Sequence, residues 1–85
     1  AQIAHSAPQC DSREAVTALL ADRYHETRRA LGIAGESAVM EIFAAEATGT
    51  WSITMTLPDG TMCLMASGSN YEKVTEKLPA KGAPA

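Results

Sequence analysis

The two cysteines constrain this chain of 85 residues more than any other feature. Cys10 lies near the start and Cys63 in the last third. Their spacing fits neither a zinc ribbon nor a Cys-x-x-Cys redox pair, and an even count in a short chain points to one bridge, Cys10–Cys63. That bridge closes a loop of roughly fifty residues and contributes about 4 kcal/mol on the chain-entropy view. A chain this short buries only about 60–65% of its unfolded surface, so its core is thin and a covalent staple counts for much. The alternative is two reduced core thiols in a cytosolic protein. The bridge, together with an opening Ala1-Gln2-Ile3-Ala4 of the kind a signal peptidase leaves behind, leads us to expect an exported, periplasmic protein whose signal peptide is already removed. A cytosolic chain freed from a tag would begin in a similar way.

The composition is that of one globular domain, with 46% hydrophobic and 20% charged residues. A net charge of −3 argues against nucleic-acid binding, which needs concentrated Lys and Arg. No stretch approaches the roughly 18 apolar residues of a membrane span, so membrane insertion is not expected.

Residues 1–9 hold Pro8 and little periodicity and read as a flexible leader. Asp11-Ser12-Arg13-Glu14 reads as a helix start, with Asp11 as cap and Glu14 reaching back. Val16, Leu19, Leu20, Thr27, Ala30 and Leu31 follow at helical spacing, and Gly32 suits a helix stop. Arg23 falls within that apolar arc, and Glu41 interrupts an otherwise apolar strand. The two are expected to meet across a helix–sheet interface.

Beyond the Gly32–Gly35 loop the period becomes extended. Ala38–Ala44 reads as a strand and Glu46–Gly49 as a turn. Trp51, Ile53, Met55 and Leu57 then alternate with Ser52, Thr54 and Thr56, the pattern of a half-buried strand. Leu57-Pro58-Asp59-Gly60-Thr61 is a hairpin signal, with Pro at the first turn position and Gly at the left-handed one. Thr61–Ala66 returns as the third strand, with Met55 facing Cys63 on the helix side and Met62 and Leu64 on the other. Residues 71–78 suggest a short C-terminal helix, and 79–85 a flexible tail. The expected fold is therefore α+β over residues 10–78, with one long helix packed on a three-stranded antiparallel meander and one disulfide.

Several of these stretches resemble a group of small exported proteins of alphaproteobacteria. They are Gly49-Thr50-Trp51-Ser52-Ile53-Thr54, then Pro58-Asp59-Gly60, then Cys63 with Ala66-Ser67-Gly68. Tyr24-His25-Glu26 and Val39-Met40-Glu41-Ile42-Phe43 match the same group, and the similarity spans roughly residues 10–72. In size and style the chain is also similar to small periplasmic proteins of methylotrophs that act in lanthanide uptake. The resemblance implies export and, in its narrower form, lanthanide binding.

An enzyme is not expected. His5 and His25 have no candidate nucleophile beside them, the cysteines are consumed by the bridge, and Gly32-x-x-Gly35 is better read as a helix stop and loop. A hard cation is the stronger reading. Glu36, Glu41, Glu46 and Asp59 occupy a stretch without any basic residue between Arg29 and Lys73, and lanthanide or calcium ions seek such oxygen ligands. The meander spreads these four acids to opposite ends of the sheet. Asp22 and Glu26, at i and i+4 on one helix face, are the candidate metal ligands, with water, another acid or a second molecule completing the shell. Pairing of Glu26 with Arg29 is the competing explanation. The other class of function is a protein-interaction or structural accessory module. In that reading a second copy in a homodimer, a protein partner or the terminal helix covers the open sheet face.

Overall fold

The computed structural model describes residues 9–74. Its elements run β1 (Gln9–Ser12), α1 (Arg13–Tyr24), β2 (Thr27–Ala34), β3 (Ala38–Ala44), β4 (Trp51–Thr56) and β5 (Thr61–Gly68). The strands form one antiparallel sheet in the order β1-β5-β4-β3-β2. This corrects the expected three-stranded meander under a long helix. The sheet has five strands, with an additional one at each edge, and α1 is only 12 residues long.

Each difference has a local cause. His25 adopts a left-handed conformation, φ 56° and ψ 34°, and ends the helix there. Histidine tolerates that region better than most non-glycine residues. Its N–H donates to the Ala21 carbonyl at 3.1 Å, and the Glu26 N–H donates to the Leu20 carbonyl at 2.9 Å, which satisfies the helix end. The chain then leaves as β2, so Gly32 is strand interior and not a helix stop. At the other end Ser12, one residue beyond the expected Asp11, is the cap. Its Oγ accepts the Ala15 N–H at 3.1 Å, while Asp11 Oδ1 accepts the Ser12 N–H at 2.7 Å.

Gln9–Ser12 pairs residue by residue with β5 and sets Cys10 opposite Cys63, where the expected disulfide is formed. Residues 71–74 are not helical, which removes the first half of the expected terminal helix. Residues 75–78, the tail 79–85 and the leader up to residue 8 lie outside the described residues. Among the described residues no helix is long and apolar enough to cross a membrane.

The two faces of the sheet are also exchanged relative to expectation. The helix packs Val16 and Leu20 onto Phe43 and Met62, and these four form the buried apolar cluster. Ser52, Thr54 and Thr56 lie buried on that same side, as does Glu41. Met40, Ile42, Trp51, Ile53 and Met55 alternate to the other side, where each is only half-buried. The expected Met55–Cys63 pairing is present, but it places Cys63 on the face away from the helix. A register shift between Ile53 and Thr54 then sets Ile53 opposite Ala66 and leaves Met65 as the extra residue, 52% exposed.

Arg23 does not meet Glu41. The Glu41 carboxylate, 1% exposed, accepts instead from Arg13 at 2.7 Å and Arg28 at 3.0 Å, both through Oε2. Arg23, in the last turn of the helix, is exposed.

The β4–β5 hairpin closes as its residues suggest. Leu57 N–H donates to the Thr61 carbonyl at 2.8 Å, and Gly60 takes the left-handed position at φ 93°. Asp59 Oδ1 accepts the Thr61 N–H at 2.9 Å. The bonds from the Thr61 backbone and hydroxyl hold the exposed Asp59 carboxyl below its ordinary value of 3.8. A depressed folded value means that this support is complete above 3.8 and is lost as pH falls through the lower folded value. The Thr61 amide shift, followed by NMR into acid, is expected to titrate with a midpoint below 3.8 and to stop titrating in Asp59→Asn.

Candidate functional site

The left-handed turn at His25 does more than end the helix. It swings Glu26 beneath the helix terminus, where the residue is 3% exposed and its Oε1 has no hydrogen-bond partner. A buried carboxylate oxygen without a partner is costly, because the desolvation of the charge is not offset. Glu26 lines a cleft of about 230 Å³ between the end of α1 and the sheet.

Four separate segments build the walls of this cleft. Gln9 comes from β1, Tyr24 from the last helical turn, and Thr50, Ser52 and Ser67 from the strands β4 and β5 and the turn before them. Leu19, Leu20 and Leu64 supply an apolar side. One carboxylate thus shares a small space with hydroxyl, phenol and amide groups, beside a patch fit for a hydrocarbon body. Trp51 also borders the cleft, although its side chain alternates to the face away from the helix, where its indole Nε1 donates to the Ser69 carbonyl at 3.0 Å. Its ring lies so close over Gly68 that a Cβ there would stand 2.7 Å from it.

Of the two expected metal ligands, Glu26 therefore belongs to the site and Asp22 does not. Asp22 is exposed on α1, whereas Glu26 lies two residues beyond Tyr24, the last helical residue. The one-turn spacing on which their pairing rested does not exist, because the helix has already ended. Among the described residues no group of three or more His, Cys, Asp and Glu side chains is placed to hold a metal ion together. Arg29, the expected competitor for Glu26, pairs with Glu46 at 3.3 Å and with the Ala44 carbonyl, and its guanidinium lies 6.0 Å from the Tyr71 ring centre.

Gln9, Thr50, Ser52 and Ser67 carried no sequence signal as a group, since only the fold brings them together. Comparison with protein-family models, curated proteins and solved structures gives no match.

Proposed function

We propose that the protein is a non-catalytic binding protein of the exported type, and that it holds a small organic cation, an alkylammonium-like group, at Glu26. The buried Glu26 carboxylate, with one oxygen lacking any partner inside a polar cleft, carries this reading. An ammonium needs one counter-charge and two or three acceptors. Glu26 supplies the charge, and the Ser52 and Ser67 hydroxyls and the Gln9 amide supply acceptors around it. The leucine side of the cleft takes the attached carbon chain. At about 230 Å³ the cleft lies below the roughly 300–1,000 Å³ of drug-sized sites and suits a ligand of few atoms.

A hard metal ion is less well served here. Calcium-like ions take about six to eight oxygen ligands, commonly with several carboxylates, and this cleft holds one. The disulfide supports an oxidising compartment such as the periplasm, where bridges of this kind persist.

Titration with n-butylammonium, read by the fluorescence of the single tryptophan, Trp51, tests the reading. Binding is expected with a dissociation constant on the order of 1 mM or tighter for so small a ligand. Glu26→Gln removes the charge with little change in shape and is expected to abolish it. The same variant, without ligand, is expected to unfold at higher denaturant, by about 1–2 kcal/mol, because an uncompensated buried charge is gone. No butylammonium binding, or equal binding by the variant, overturns the proposal. Terbium binding that Glu26→Gln removes, without any response to butylammonium, replaces the organic cation with a hard metal.

A further inference from the structure

We infer that the protein self-associates through the outer edge of β2, two copies joining their sheets across a two-fold axis at Gly32. This is independent of the ligand read at Glu26, because it rests on the backbone and side chains of an edge strand.

The two edges of the sheet differ in kind. β1 is four residues long, polar apart from its bridged cysteine, and tied to β5 by the disulfide. β2 is eight residues long, and among the described residues no strand pairs with its outer side. Its second half, Ala30–Ala34, carries no charge and no proline, although charges and prolines are the usual means of keeping an exposed edge from pairing. Leu31 is 54% exposed and Ile33 64% exposed. Both lie on the helix side of the sheet, opposite Glu41 and Val39, beyond the reach of the small core.

Charge and spacing select a second copy as the occupant. Arg28 and Arg29 stand at one end of β2, and Glu36 stands just past the other. An antiparallel copy of the same strand therefore brings each arginine end beside the acid of its neighbour. A two-fold axis normal to the sheet keeps the same face up in both copies. Centred on Gly32, it places Leu31 of each copy opposite Ile33 of the other, two apolar cross-strand pairs flanking the axis. Nothing stands within 4 Å of where a Cβ on Gly32 would be, so the sheet face beside the axis, opposite to Leu31 and Ile33, is uncrowded. The product is a continuous ten-stranded sheet in which the weakly protected edge no longer exists.

Sedimentation velocity over a range of micromolar concentrations decides the matter, with amide hydrogen exchange on the same samples. The parent is expected to be dimeric at the upper end, with concentration-dependent protection of the β2 amides. Ile33→Lys is expected to weaken the dimer by about tenfold or more, and its circular dichroism should match the parent because the side chain is exposed in the single chain. Glu36→Arg should weaken it by a smaller factor that shrinks in high salt. A parent that stays monomeric throughout the range overturns the inference. So does a dimer that is indifferent to Ile33→Lys and leaves the β2 amides unprotected, since that dimer uses another surface.

Discussion

Replacing Cys10 and Cys63 together by serine is expected to lower the unfolding free energy by about 4 kcal/mol. The bridge joins residues 53 apart, so in the unfolded chain it removes the entropy of a long open loop. For 85 residues the whole stability is on the order of 4–13 kcal/mol, so this one bond accounts for a large part of it. The folded state depends on it as well. β1 is a four-residue edge strand with every residue exposed, and α1 follows it without a linker. Releasing β1 removes the support at the start of the helix, whose Val16 and Leu20 make half of the apolar cluster. Gln9 leaves the cleft wall at the same time, so ligand affinity at Glu26 should fall alongside stability. Urea unfolding of oxidised protein and of the double variant gives the comparison. Coincident midpoints would mean that pairing along β1 holds this edge without the bridge.

The sequence signals that proved reliable were local and strictly periodic. Ala38–Ala44 is a strand of the expected extent, and the Pro58-Asp59-Gly60 turn sets Leu57 against Thr61, because alternation and turn chemistry act over a few residues. Thr27–Ala34 misled because Thr27, Ala30 and Leu31 fit helical spacing, while the residue that ended the helix was His25 and not a glycine. The alternation of Leu31 with Ile33 around Gly32 was a strand signal, but too short to prevail. Gln9–Ser12 has almost no apolar content and read as a leader running into a helix start; the Cys10–Cys63 bridge placed Cys10 near Cys63 without showing that the segment pairs as a strand.

The exchanged faces have a different origin. Apolar alternation on Trp51, Ile53 and Met55 ordinarily marks the inner side. Here the helix sits on the side of Phe43 and Met62, where Glu41 also finds its arginines, and the threonines of β4 are buried as a consequence. The cost of this choice is visible in the Thr54 and Thr56 hydroxyls, which are buried without hydrogen-bond partners. The candidate site was legible only through Glu26. Its setting, assembled from β1, the helix end and β4–β5, required the tertiary fold.

The Arg13→Gln/Arg28→Gln double variant is expected to lose about 3–5 kcal/mol, because it strands the Glu41 carboxylate inside the fold. Glu41 is 1% exposed, and its Oε2 accepts from both arginines, so these two cations are what compensates its burial. Arg13 opens α1 and Arg28 lies in β2, so one carboxylate on β3 ties the helix start to the edge strand. The arginine side chains are themselves 45% and 50% exposed, and water screens each contact. Either arginine alone can keep the carboxylate paired, so each single variant should cost no more than about 1 kcal/mol. The double loss should therefore exceed the sum of the singles. Adding Glu41→Gln to the double variant removes the stranded charge and should recover more than half of the loss, although it takes away a native side chain. Urea midpoints for the two singles, the double and the triple variant carry the test. Additive single effects, or a triple variant no more stable than the double, would show that Glu41 does not depend on this pair of cations.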